Sequence, residues 1–598
     1  MSEPEKSPRR FNLGVFSVIA IVLGVITGFG AILFRLLIGF IHNAFFLGAA
    51  STVYDANLYT PASPWGPLVI LVPVIGGLGV VFLVKNFAPE ARGHGVPEVM
   101  DAIFYNDGKI RPLVAIVKSL ASALAIGTGS AVGREGPIIQ IGASLGSTMG
   151  QLARMEVWQR ITLVAAGAGA GIAATFNTPI GGVLFAIELM MPEVSVRTFL
   201  PVALATGTAT FIGRMFLGLR PAFEVPPVFL SDHPYPIYAL LLYAALGAVI
   251  GVAATGFIRG LHWAEEVFER IENVYLRHAI GMLIVGVMMY LFLLFSGHYH
   301  IEGVGYSTVQ DVLLGGLTLA PFLALLFFGK LSATILSLGS GSSGGIFSPS
   351  LFMGATLGGA FGAVVLLVAP GADISIGACA VVGMAAMVGG GTGAAMTAVT
   401  MIFEMTRDYD IVMPMILAVA VSIGIRRMLS RENIYTIKLV ARRHFIPKAM
   451  HANMFLVRAA SDVMDKDIAV LPQDMLFDAF LRQPEHHGKF RHVVVTDGER
   501  IVGVLRVNTA LRRGLEDAFT GVSLGEVAIK NFTIAREDDV MFNVIGRMTR
   551  KKTPLAIVVR SNRRVPHVSD VIGVIAKEHI ADSVGESVRP YVASDLTI

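Results

Sequence analysis

Charge is scarce in this chain. Of its 598 residues 15% are charged and 54% hydrophobic, against about a quarter charged in an ordinary soluble domain, and that excludes one soluble globular fold. The scarcity is also local. Residues 446–598 hold 21 Lys and Arg and 19 Asp and Glu, which leaves 50 charged residues for the first 445. A large membrane domain followed by a soluble domain of ordinary composition is therefore expected. Cysteine is almost missing. Cys379 stands alone in the apolar run GACAVVGMAAM, which excludes an intramolecular disulfide, a Cys-based zinc site and a ferredoxin-type cluster. A formal net charge of +4, spread along the chain, gives nucleic acid no footing. The polar start MSEPEKSPRR lacks the apolar core of a signal peptide, and the apolar stretch 11–46 is too long for one. Residues 1–10 are thus read as a cytoplasmic tail marked by Arg9 and Arg10.

About ten to twelve apolar segments precede residue 446, among them 68–84, 113–126, 238–258, 280–295 and 413–425. Several run to only about 15 residues, too short to cross a core of roughly 30 Å upright. Helices broken within the membrane are expected, with glycine-rich stretches such as GTGSAVGREGP (127–137) and GSGSSGGIFSP (339–349) unwound at depth. Irregular backbone there is tolerated only where protein buries it or where it lines an aqueous cavity.

Those stretches align at a constant offset of 212. Over 118–150, 13 of 33 positions are identical, including Lys118/Lys330, Gly133/Gly345 and Pro137/Pro349. An offset of 210 pairs RGHGVPEVMDAI (92–103) with EGVGYSTVQDVL (302–313). Glycine bias does not put lysines and prolines in register, so two homologous halves are expected, about 60–220 and 270–430. Transporter repeats of this kind are often inverted, with the substrate site between them. In GREGP and GGIFSP a glycine run leads to a proline and then an apolar stretch, the order of a helix start. Two helix N-termini meeting at depth offer free N–H donors and partial positive charge, which suits an anion. Glu135 lies among those donors and could itself occupy an anion position; an ionisable group at that depth is functional by default.

Three ordered motifs, GHGVP (93–97), GREGP (133–137) and GIFSP (345–349), together with Tyr435 in ENIYTIK, resemble the CLC chloride channels and proton-coupled anion exchangers over residues 10–445. The resemblance implies a polytopic α-helical membrane protein of two inverted-topology repeats with broken and re-entrant helices, working as a homodimer with one pore per subunit. It implies that chloride or a similar anion is held at His94, at the backbone of Gly345, Ile346 and Phe347, and at the hydroxyl of Tyr435. Glu135 then matches the gating glutamate, within an anion-site loop of Gly133, Arg134, Gly136 and Pro137.

Two departures stand out. His94 replaces the serine usual in the first motif, and its imidazole donates one N–H when neutral and two when protonated. In FNTPIGGVLFAIELM (176–190), Leu189 fills the place of the usual proton-accepting glutamate. Its neighbour Glu188 is retained and, with Glu404 in the other half, reads as a partner of polar backbone. Passive or loosely coupled anion flux is thus the main expectation, with stoichiometric chloride/proton antiport as the alternative. A regulated cation carrier is the reading from another class, disfavoured by the scarcity of intramembrane carboxylates. GSGSSGG lacks the Gly-Lys-Ser/Thr of a phosphate loop, and neither an enzyme nor a metal site is expected.

The soluble part reads as a linker (446–456), two similar α+β units (457–516 and 521–586) and a terminal tail (587–598). The pairing resembles a tandem CBS (Bateman) module, which implies a cytoplasmic regulatory or dimer-contact domain. The positions that would hold adenine nucleotide carry Arg506 and Thr509 in one unit and Ala576 and His579 in the other. Without the ribose-binding carboxylate, nucleotide binding is doubtful and no other cofactor is expected; Arg563 and Arg564 read as a solvated basic loop. The membrane is expected to be the plasma (inner) membrane, with both termini cytoplasmic and gating responsive to voltage.

Overall fold

The computed structural model describes residues 9–192, 194–219, 221–225, 236–442, 444, 458–483, 490–508, 521–560 and 567–592. The linker at 446–456, Thr509, Arg563 and Arg564 lie outside the described residues. The chain divides into two compact units, Met1–Ile446 and Pro447–Ile598.

The first unit is helical and built twice over. Its first half runs α1 (Leu13–His42), α2 (Val72–Phe87), α3 (Val96–Tyr105), α4 (Leu113–Gly127), α5 (Glu135–Leu152), α6 (Val157–Phe176), α7 (Pro179–Phe185) and α8 (Val196–Leu217). The second half repeats the order with α9 (Ile237–Glu269), α10 (Val274–Ser296), α11 (Tyr306–Leu313), α12 (Ala320–Ser340), α13 (Phe347–Val368), α14 (Ile376–Thr392), α15 (Ala395–Thr406) and α16 (Val412–Leu429), and α17 (Thr436–Ala441) follows. Among the described residues eight helices are long and apolar enough to cross a membrane. Helices such as α3, α7, α11 and α15 are too short to do so.

Local chemistry sets the boundaries. Asn12 caps α1 by accepting from the Val15 N–H at 2.9 Å. Past His42 the helix widens into one π-turn, Asn43–Leu47, and stops at Gly48, which turns with φ +66°; the Asn43 amide donates to the Ser51 and Val53 carbonyls at 2.9 and 2.8 Å, tying the chain that follows to this end. Prolines open α3, α7 and α12, where a missing N–H costs nothing. The glycine stripes let backbones touch. A Cβ on Gly142 would lie 2.1 Å from the Gly167 carbonyl oxygen, clamping α5 onto α6, and one on Gly354 would lie 2.4 Å from that of Gly383, clamping α13 onto α14. Close small-residue contact is how membrane helices gain packing energy without a solvent-driven term. Large apolar side chains such as Leu33, Phe211 and Phe328 remain exposed, as a lipid-facing surface requires.

The second unit holds two three-stranded sheets. In the first, β1 (Ile468–Pro472) runs parallel to β2 (His492–Asp497), which turns at Gly498 into antiparallel β3 (Arg500–Arg506). In the second, β4 (Thr533–Arg536), β5 (Leu555–Val559) and β6 (Val571–Ala576) repeat that order. The leading helices are exchanged. Ala460 packs with Ala535, Met541 and Ile575 of the second sheet's layer, whereas Leu524 packs with Phe477 and Val493 of the first. Neither sequence unit therefore closes its core alone, which the linear reading of 457–516 and 521–586 as separate units does not convey.

Candidate functional site

Four helix N-termini, two from each half, converge on Glu135. The loops that launch α3 and α11 are each fixed by a buried lysine. Lys118 Nζ donates to the carbonyls of Ala91 and Gly93 at 2.9 and 2.8 Å, and Lys330 Nζ to those of Ile301 and Gly303 at 2.8 and 2.6 Å. The paired lysines of the repeat thus do the same work twice, each tying down the loop before a helix start. Between the halves, Gly133 and Gly345 exchange backbone hydrogen bonds at 2.7 and 2.6 Å, which brings the starts of α5 and α13 together. Only glycine fits there. A Cβ on Gly136 would sit 2.2 Å from the His94 carbonyl oxygen, and one on Gly345 would sit 2.6 Å from the Gly136 nitrogen.

Glu135, the first residue of α5, is fully buried, and its carboxyl reaches across to the other half. Oε1 accepts from the Tyr306 hydroxyl at 2.7 Å and from the Ser348 hydroxyl, while Oε2 accepts from the Ser348 N–H at 3.2 Å. Burying such a group costs about 2.5–3.5 kcal/mol on insertion scales, and donors at a helix start offset that cost. His94 is buried, and neither ring nitrogen has a hydrogen-bond partner among the described residues. Its ring centroid lies 5.7 Å from that of Tyr435, itself 1% exposed. The α13 start, Ile346 and Phe347, belongs to the same convergence through the Gly345 contact with Gly136. Arg134 points elsewhere, its guanidinium 5.3 Å from the Tyr306 ring centre. With Arg35 and Arg214 it lines a cavity of about 380 Å³ that Tyr306 also borders.

Tyr306 and Ser348 are the partners that motif reading missed. Both had a signal: Tyr306 directly follows Gly305 in the repeat counterpart of GHGVP, and Ser348 lies inside GIFSP. The two other carboxylates cap helices of the opposite half. Glu404 accepts from Ile180 and Gly181 N–H at 3.0 and 2.7 Å. Glu188 accepts from Met396 and Thr397 N–H at 3.3 and 2.9 Å and from the Thr397 hydroxyl at 2.8 Å. Leu189 packs against the apolar core.

In the second unit, Asp465, His492 and His579 bring ligating atoms within 4.8 Å of one another. The Ala576 N–H donates to His579 Nδ1 at 3.1 Å, which leaves that ring's proton on Nε2, facing Asp465 at 3.9 Å. The group is thus a carboxylate between two imidazoles rather than an open ligand set. Burial pushes His492 below its ordinary value, opposed by its hydrogen bond to Asp465. Arg506 pairs with Glu578 at 3.5 Å.

Residues 76–427 match the family described as Voltage gated chloride channel. The H(+)/Cl(−) exchange transporter ClcA of Vibrio parahaemolyticus is 30% identical over 431 residues, which span 70% of this chain and 88% of that protein. Among solved structures, a slow cyanobacterial Cl−/H+ antiporter is 26% identical with a TM-score of 0.63, covering 71% of this chain and 97% of that one. A eukaryotic CLC transporter shares the fold over 94% of this chain and 97% of its own, at 20% identity and a TM-score of 0.57.

Proposed function

This chain belongs to the CLC family of voltage gated chloride channels, integral multi-pass anion transport proteins, and we propose that it exchanges chloride or a similar small anion for protons, with Glu135 as the gate. The observation that carries the reading is the placement of the Glu135 carboxyl on the Ser348 N–H at the start of α13, across the junction of the two halves. A carboxylate held by donors at a helix start occupies the place an anion would take, so gate and anion compete. When Glu135 leaves, the N-terminal amides of Ile346 and Phe347, the turn at Gly345, the His94 imidazole and the Tyr435 hydroxyl hold the anion. Gly133, Gly136 and Pro137 shape the loop, and Arg134 offers positive charge in the adjoining cavity.

Exchange takes precedence over the passive flux that Leu189 alone suggests, since the relatives named above are described as exchangers and antiporters. Leu189 is apolar and Glu188 is committed to α15, so the inner proton path runs through other groups or through water. The protein works as a homodimer in the lipid bilayer of the plasma membrane with both termini cytoplasmic. The second unit is a tandem CBS module that regulates the first without binding adenine nucleotide. The test is Glu135→Gln in reconstituted vesicles: anion flux persists, while its pH dependence and proton movement are lost. A folded variant retaining wild-type proton coupling would overturn the gate assignment.

A further inference from the structure

The gate does not rest on backbone donors alone. Glu135 Oε1, Tyr306 Oη and Ser348 Oγ are mutual neighbours: Tyr306 donates to the carboxyl at 2.7 Å, Ser348 donates to the same oxygen, and the two hydroxyl oxygens are 2.7 Å apart. The two hydroxyls come from different helices of the second half, and both helices are fixed. Tyr306 follows Gly305, whose φ of +76° and approach to the Phe352 ring, 2.7 Å from an added Cβ, leave α11 one place to start. The tyrosine ring is 2% exposed, with Phe223 edge-on at 5.1 Å and Arg134 against it. Ser348 lies one residue into α13 and is fully buried. Of the three groups, Glu135 is the one with a flexible stem.

We propose that Tyr306 and Ser348 are positioning residues whose hydroxyls latch the Glu135 carboxyl in the anion path and set how often the gate leaves it. The proton count supports a latch that works in both protonation states. With an ionised carboxylate, two hydroxyl protons fill two of the three oxygen–oxygen edges, both directed at Oε1. A carboxylic acid brings a third proton, and every edge can then carry one, with one hydroxyl accepting from the acid. Protonation therefore does not by itself eject the gate; departure requires losing hydrogen bonds to both hydroxyls. The cavity that Tyr306 borders with Arg35, Arg134 and Arg214 does not include Glu135 in its lining, so the tyrosine separates that cavity from the gate. A latch in this position makes anion passage wait on the carboxyl rather than slip beside it.

This inference rests on Glu135 acting as the gate, and the test separates the two. Tyr306→Phe keeps the packed ring and removes one oxygen, Ser348→Ala removes the other, and Ser348→Thr retains a hydroxyl. Chloride efflux and proton uptake are measured in vesicles across a pH series, for each variant in the wild-type and Glu135→Ala backgrounds. Loss of one charge-assisted hydrogen bond corresponds to roughly tenfold in gate release. Tyr306→Phe and Ser348→Ala should therefore raise chloride flux by about that factor near neutral pH and lower the protons moved per chloride. Ser348→Thr should stay near wild type, and in the Glu135→Ala background neither removal should raise flux. Equal rises in both backgrounds, or wild-type coupling after both hydroxyls are gone, would overturn the latch. Chloride flux without any proton movement in the wild type would instead overturn the exchange reading and leave the flux comparison intact.

Discussion

Glu135 can compete with an anion because the Tyr306 hydroxyl, the Ser348 hydroxyl and the Ser348 N–H all donate to its carboxyl, and His94 is the residue in the same convergence whose donor count would change on protonation. Neither of its ring nitrogens has a hydrogen-bond partner among the described residues, so even the neutral ring has an N–H to offer an anion. An anion beside the ring favours the imidazolium, and by reciprocity protonation favours the anion. Anion affinity should therefore rise on acidification, and His94→Ser should flatten that dependence. Titrations with chloride at two pH values on both proteins check this, and equal pH dependence would place His94 outside the site. The motifs made Glu135, His94 and Tyr435 legible, because their chemistry is written in the residue types. Tyr306 and Ser348 were not, since a tyrosine and a serine in glycine-rich sequence have many uses and only the contact between halves selects this one.

Elements meet here by their ends, and that is where substitutions should be most costly. Adding a Cβ to Gly345 forces it to within 2.6 Å of the Gly136 nitrogen, an overpacking of backbone against backbone. Gly345→Ala should lose on the order of 1–3 kcal/mol, read as a lowered unfolding temperature in detergent. Glu188→Gln removes the charge that caps α15 and should cost about 1 kcal/mol while leaving the pH profile of transport unmoved. A changed profile would return Glu188 to the proton path. The repeat was visible in the sequence because Lys118 and Lys330 must each hold two carbonyls, a demand that glycine bias cannot imitate. The positions of α2, α4, α9, α10 and α16 followed from apolar runs. The exchange of leading helices in the second unit did not, because a short helix such as that at Leu524 carries no mark of which sheet it covers.

At the scale of the whole molecule, the second unit should answer to acid rather than to nucleotide. Burial holds His492 below its ordinary value, so the folded unit favours the neutral ring. That stability is fully present above about pH 6.5 and is lost as pH falls through the unfolded value toward the folded one. Protection factors of residues 492–497 in the full chain, with the intrinsic pH dependence of amide exchange divided out, should fall as pH is lowered from about 7.5 to 5.5, and His492→Asn should remove the change. Arg506 and His579, at the expected ribose positions, are engaged by Glu578 and by the Ala576 N–H, so calorimetry of the full protein with ATP or AMP should give no micromolar heat. Coupling of anion to proton must work here with Leu189 in the place of the usual carboxylate. Purified protein in vesicles with an outward or inward chloride gradient, the membrane voltage clamped by a potassium ionophore and the interior loaded with a pH-sensitive dye, tests it directly. Exchange gives proton movement against the proton gradient, sustained by chloride alone and abolished in Glu135→Gln; chloride flux with no uphill proton movement would contradict it.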